Sequence, residues 1–400
     1  MLNPSLALLA SIIGILLLLR LKAHPGLAIF VGSLIISLLV LPLHSMPHLM
    51  IQTLLNYQTL RLLVVVGCAL TLSSLMEMKG LLARLAAKIG GISPKLAMLL
   101  TPAVIGLVPM PAGALVSATT LQDLVKRMGL SPEAATFINY WFRHIWEYFL
   151  PAYPAVITAS VILSIPLSSI MKTLWPMTAL AIAFGAISSY GMLKKTQKIR
   201  EKASSSIAYN LLSASWPILL LVLLILLGLD AVLAFPLTLA FLAWQQRAEW
   251  SELKKAFKYG LDPKILLLLY AVMLYKATIE SSNIAYMFLS GMQSIGLPTL
   301  AILVLLPLLM GFATGVSVAF VGVAFPLLVP FITPGLEINS YALLLAYTSG
   351  MVGYLLSPVH LCLILSAEYL KASLARVYRY ILPPLLAIEA VAVLIYYIAA

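Results

Sequence analysis

Residues 106–118, GLVPMPAGALVSA, place Gly106, Pro109, Pro111 and Gly113 inside a long apolar region. Proline lacks a backbone donor and glycine loosens the chain, so no straight helix is expected through this stretch. Non-helical backbone at membrane depth survives only when it is buried in protein or lines a wet cavity. A second stretch of the same kind, GFATGVSVAFVG, occupies residues 311–322. The two read as the tips of paired re-entrant hairpins, with the functional centre between them.

That argument needs the surroundings to be lipid, and the composition supplies this. Of the 400 residues, 62% are hydrophobic and 10% charged, and the mean hydropathy is +1.06. Soluble domains carry roughly 45–50% apolar and about 25% charged residues. The expected fold class is an all-α polytopic membrane protein, a single membrane domain over residues 1–400, with about ten transmembrane helices of roughly 20 residues each. The net charge of +12 reads as basic cytoplasmic loops that set orientation, not as a nucleic-acid surface. Cys68 and Cys362 both lie in apolar runs and imply no disulfide framework. The first apolar run, residues 6–19, has no small-residue cleavage site and reads as a retained span.

Spans are expected near residues 5–21, 27–43, 60–76, 174–192, 211–227, 231–244, 265–278 and 380–398. Two longer apolar stretches, 134–166 and 341–370, exceed one bilayer crossing and carry internal prolines. They read as broken helices, interrupted at Pro151 and Pro154 in LPAYP and at Ser357-Pro358. The hairpins are expected over 96–121 and 298–329. When each hairpin enters and leaves on one side, the Lys/Arg-bearing loops near 20–24, 79–95, 122–133, 194–202, 246–264 and 371–379 share one face. The loops near 44–57, 170–173, 229–230, 280–297 and 330–340 share the other, with Lys172 the exception. The positive-inside rule makes the first face cytoplasmic and puts both termini outside. The expected location is the cell membrane of a prokaryote.

Glu77 and Glu280, Pro94 and Pro298, Gly113 and Gly315, and Pro151 and Pro358 recur in order about 200 residues apart, as inverted repeats of secondary transporters do. The first repeat is expected over 60–168 and the second over 265–370. PMPAGALVSA, NYWFRHIWEYFLPAYP (139–154) and SPVHLCLILSAEYLKA (357–372) resemble an integral membrane family of unknown function. That family lies in the ion transporter superfamily, beside gluconate permeases and citrate and dicarboxylate carriers. The resemblance implies a homodimer with a fixed scaffold and a mobile transport domain that works as an elevator. Neither tip carries the Ser-Asn-Thr carboxylate-binding string of the dicarboxylate carriers, so a dicarboxylate is not implied.

Candidate binding residues follow from local chemistry. At the tips, free N–H groups and the helix dipole favour an anion, and freed carbonyls favour a cation such as Na⁺. Pro111, Gly113 and Gly315 shape them; Ser117, Thr314 and Ser317 supply hydroxyls. Such small residues also serve plain close packing in lipid. On the first broken span Asn139, Arg143 and Glu147 share one helix face, with His144 beside it. A charge deep in the bilayer costs about 2.5–3.5 kcal/mol on insertion scales, so it pairs or serves function. Arg143 suits a carboxylate because its guanidinium is a planar fork. Glu147 reads as its structural partner or as a residue near the cytoplasmic interface. Pro151, Ser357, Pro358 and His360 mark the breaks; His360 would bond substrate, move protons, or simply satisfy local backbone.

The leading expectation is secondary transport of a small organic anion coupled to Na⁺ or H⁺. An Na⁺/H⁺ antiporter on the same scaffold requires central carboxylates, which the hairpin tips lack. An intramembrane enzyme is the remote reading: no HExxH, nucleophile elbow or Cys/His spacing for metal is present. No cofactor is expected beyond a coupling Na⁺ at the tips, and no nucleic-acid partner.

Overall fold

A computed structural model describes residues 4–82, 84, 93–110, 113–194, 196, 207–294 and 296–399, and all regular secondary structure among them is helical. Lipid offers no partner for backbone N–H and C=O, so spanning segments must satisfy these groups internally, and helices do this locally. Among the described residues, four segments are by length and composition apolar enough to cross a membrane: Tyr57–Met78, Leu167–Lys194, Ser340–Leu370 and Leu374–Ala399. The remaining apolar helices are shorter.

One group of helices forms a packed frame. α1 (Pro4–Arg20) lies against α2 (Pro25–Val40), and α2 against α13 (Pro263–Ser281). Proline at the first turn of α2 loses no hydrogen bond, and His24 accepts from the Gly26 amide at 3.2 Å through Nδ1. α4 (Tyr57–Met78) starts where the Asn56 side chain accepts from the Gln58 amide at 2.8 Å. α3 (Met46–Leu55) and α4 both touch α13.

Two helix pairs lie over the stretches expected as hairpins. α5 (Pro94–Ile105) and α6 (Gly113–Met128) are packed side by side, as are α15 (Thr299–Thr314) and α16 (Ser317–Ile332). No arm exceeds 16 residues, about 24 Å of helix against a hydrocarbon core about 30 Å thick. The second tip is a two-residue turn in which Gly315 has φ 59°, a conformation that costs other residues about 1–2 kcal/mol.

Both long apolar stretches are broken. α7 (Pro132–His144) is followed by a 3₁₀ turn (Ile145–Tyr148) and then α8 (Pro154–Leu163). The first break therefore opens at His144, several residues before LPAYP. The 3₁₀ turn, not a proline, ends the α-helix, while Pro154 starts the next one. The second break falls where expected, between α17 (Ser340–Leu356) and α18 (Leu361–Leu370).

The halves interlock reciprocally. α5 packs on α7 and α15 on α17, each hairpin's first arm against its own broken span. The second arms cross over: α6 packs on α18, and α16 on α8. Small residues let backbones meet: a Cβ on Gly311 of α15 would stand 2.6 Å from the Tyr354 amide nitrogen of α17.

α9 (Leu167–Lys194), α10 (Ile207–Leu226), α11 (Ala231–Gln245) and α19 (Leu374–Ala399) complete the spans. Three expected loops are partly helical. α3 lies in the segment 44–57, the amphipathic α12 (Trp250–Gly260) in the basic connection, and α14 (Ile284–Ser294) in 280–297. Charge counting sees these surface helices only as polar connections. Lys172 falls inside α9, and the turn before it lies at residues 164–166 instead of 170–173.

Candidate functional site

The breaks and tips converge on a buried polar cluster built around α7. Arg143 is 3% exposed. Its Nη1 donates to the Tyr153 hydroxyl at 2.8 Å and to Glu147 Oε1 at 3.5 Å. Tyr153 in turn donates to the Gly106 carbonyl at 2.5 Å, which ties the first hairpin to the first break. Across the cluster, Gly113 opens α6 so close to Arg143 that a Cβ there would be 2.8 Å from Nε. A larger residue would push the guanidinium off the tip. Arg143 Nε has no hydrogen-bond partner among the described residues.

Asn139, one turn earlier and fully buried, reaches the same tip. Its Nδ2 donates to the Ala114 carbonyl at 2.8 Å and to Ser366 Oγ of α18 at 3.0 Å. The other face of α7 meets the second break. Tyr140 donates to the Leu355 carbonyl at 2.9 Å, and its oxygen lies 3.0 Å from His360 Nδ1. His360 Nδ1 is also 3.1 Å from the Tyr354 carbonyl, and His144 Nδ1 is 2.6 Å from the Tyr140 carbonyl. A carbonyl only accepts, so each Nδ1 carries the proton and each Nε2 keeps its lone pair. The two imidazoles meet edge to face with centroids 4.9 Å apart.

Glu147 is buried beside this pair. Oε1 lies 3.8 Å from His144 Nε2, and the Glu147 carbonyl accepts from Tyr347 at 2.9 Å. Glu147 is 5% exposed within the cluster, beside Arg143. The 3₁₀ turn after His144 folds it back onto Arg143. The break is held by Trp146 Nε1, which donates to the Ala103 carbonyl at 2.6 Å, and by Thr178, which donates to the Ile145 carbonyl at 2.7 Å.

At the second tip, a Cβ on Gly315 would stand 2.9 Å from Ser357 Oγ and 3.1 Å from the His360 amide nitrogen. Tip and break therefore touch. Thr314 Oγ1 accepts from the Val316 amide at 3.3 Å, and Ser357 Oγ from the Val359 amide at 3.4 Å, so both hydroxyls shape local turns.

The structure thus gathers Gly113, Asn139, Arg143, His144, Glu147 and His360 in one cluster. His360 links it to Gly315 and Ser357. Pro151 is buried in the first break; Pro358 is exposed at the second. Ser117 is committed to its own helix, donating to the Ala114 carbonyl at 3.1 Å. Ser317 is half-buried at the start of α16. Pro111 lies outside the described residues. Lys276 and Glu280 form a peripheral pair at 2.9 Å, with Glu280 more than half exposed.

Sequence reasoning missed Tyr140, Tyr153, Tyr354 and Cys362, all ordinary residues of apolar runs until the fold brings them together. It also missed Glu389 in the last span, which accepts from Ser349 at 2.6 Å. A carboxylate inside an apolar run was the available signal. One donor atom from each of His144, His360 and Cys362 lies within 4.8 Å of the others. No local Cys/His spacing announces this grouping.

Paired short helical hairpins, two broken helices and a buried ion pair at their meeting point belong to an all-helical polytopic membrane protein. The solved structure of the Alcanivorax borkumensis YdaH transporter, described as having an unusual topology, is similar with a TM-score of 0.63. The two are 13% identical over 99% of this chain and 98% of that one, a likeness of fold alone. The chain belongs to the family described as "Protein of unknown function (DUF401)", which matches residues 3–399. No curated protein matches it.

Proposed function

We propose that this protein is a secondary active transporter that carries a small organic anion across the cell membrane, coupled to Na⁺ or H⁺. The observation that carries the proposal is Arg143. A guanidinium at this depth, with Nε unpartnered among the described residues and facing Gly113 at a hairpin tip, is a ready contact for a carboxylate. Freed N–H groups at the tip favour the same charge. Asn139, whose buried Oδ1 has no partner among the described residues, adds a polar contact from the adjacent turn.

The cluster residues are 0–5% exposed, so substrate reaches Arg143 only after a movement. An elevator-type displacement of hairpins and broken spans against the frame of α1, α2, α4 and α13 would provide it. The reciprocal packing of second arms on opposite broken spans supports an inverted-repeat transport unit. Membership in the ion transporter superfamily, a homodimer, and a prokaryotic cell-membrane location with both termini outside belong to the same proposal.

Liposome reconstitution tests it. Uptake of organic acids should follow an imposed Na⁺ or H⁺ gradient and be lost in Arg143→Lys, which keeps the charge but not the fork. Gradient-independent behaviour across a broad panel of acids would remove the proposal. Na⁺/H⁺ antiport is the second reading, favoured by the central position of Glu147. It predicts Na⁺-driven proton movement without any organic anion, abolished in Glu147→Gln.

A further inference from the structure

We propose that His144, His360 and Cys362 form a binding site for a soft monovalent d¹⁰ cation of the Cu⁺ class, held by two imidazole nitrogens and one thiolate. Three observations converge. One ligating atom from each residue lies within 4.8 Å of the others. His144 Nε2 is buried and has no hydrogen-bond partner among the described residues, and a buried polar atom left unpaired calls for one. Both histidines are also oriented as metal ligands are: each Nδ1 is held by a backbone carbonyl, Tyr140 for His144 and Tyr354 for His360. Such outer contacts fix the tautomer and leave Nε2 free to ligate.

The choice of cation follows from charge and softness. A thiolate selects soft ions, with Cu⁺ and Zn²⁺ as the common candidates. Arg143 already places a positive charge nearby, balanced by Glu147 at 3.5 Å. Cu⁺ with one thiolate is neutral and leaves that balance intact. Zn²⁺ would add a net positive charge, or would draw Glu147 away from Arg143 as a fourth ligand from its position 3.8 Å from His144 Nε2. Zinc–nitrogen and zinc–sulfur bonds of about 2.0–2.3 Å give the scale of a closed site. Donors now up to 4.8 Å apart must draw together by roughly 1 Å, within reach of side-chain rotation. A bound ion would tie the end of α7 to the start of α18, clamping the two broken spans together. The site needs only the folded chain and stands independently of the transport reading.

The test uses full-length protein in detergent, in a Cys68→Ser background that leaves Cys362 as the single thiol. Cu⁺ is supplied anaerobically against a chromophoric Cu⁺ chelator. The expected result is one Cu⁺ per chain, with affinity reduced at least about 10-fold in Cys362→Ser and in His144→Gln. On the folded parent protein, Cu⁺ should also slow maleimide modification of Cys362, and Zn²⁺ at the same concentration should protect it less. Tyr140→Phe keeps all three ligands while removing the hydroxyl beside His360, so it should weaken binding less than loss of a ligand. Equal Cu⁺ affinity in parent and Cys362→Ser would overturn the proposal. So would an unchanged alkylation rate of Cys362 in the presence of Cu⁺, whatever the folding of the variants.

Discussion

The Arg143–Glu147 pair permits a quantitative prediction. Both side chains are nearly inaccessible, 3% and 6% exposed, and Nη1 stands 3.5 Å from Oε1. At an effective dielectric of about 20, that separation gives an attraction of roughly 5 kcal/mol. Desolvation of both ions offsets much of it, so the net value of the pair is small. Removing one partner is different, because it strands the other charge. Arg143→Met should therefore destabilise by about 3–5 kcal/mol. Glu147→Gln should cost less, since Tyr153 still accepts from the guanidinium at 2.8 Å. The double variant should be less destabilised than the sum of the singles, with a coupling of about 2–3 kcal/mol. Reversible unfolding in mixed detergent micelles, followed by tryptophan fluorescence, measures all four proteins. Single effects that add to within about 0.5 kcal/mol would refute the claim that these groups hold each other in a dry site.

Three further outcomes are expected. Gly315→Ala forces a left-handed alanine against Ser357 Oγ and the His360 amide, so it should cost at least about 1–2 kcal/mol; unchanged melting and unchanged hydrogen exchange at the tip would contradict this. Single cysteines in a background lacking Cys68 and Cys362 should place residues 93 and 122 on the cytoplasmic side and 296 and 337 outside; a pair split between sides would contradict the hairpin topology. Lys79 donates to Glu252 at 2.6 Å and holds its carboxyl below the usual carboxylate range. The folded-state value is the depressed one, so the contribution of this partly buried surface contact is present above the unfolded carboxylate range and fades as pH falls through the folded value. Lys79→Met should flatten that acid limb of the stability profile; an identical limb would remove the assignment.

The sequence by itself determined the segments. Apolar runs of about bilayer length must be helical in lipid, because no other local structure satisfies the backbone there. Gly106 to Gly113 and Thr314 to Gly315 had to interrupt helices for the same reason that glycine and proline interrupt any helix. The second break at Ser357-Pro358 was legible in the same terms. Amphipathic α12 and α14 were not, since charge counting treats a surface helix as a loop.

Tertiary structure decided the site. Tyr140 and His360 are 220 residues apart in sequence yet 3.0 Å apart in space. No periodicity within either segment encodes that meeting, which depends on α6 crossing to α18 and α16 to α8. The fate of Glu147 was equally non-local: helical spacing put it on the face of Arg143, but only the 3₁₀ turn and the surrounding Tyr153 and Tyr347 decided that the pair is dry. Helix formation is fixed by a segment and its solvent, whereas the burial of a charge depends on what the rest of the chain packs against it.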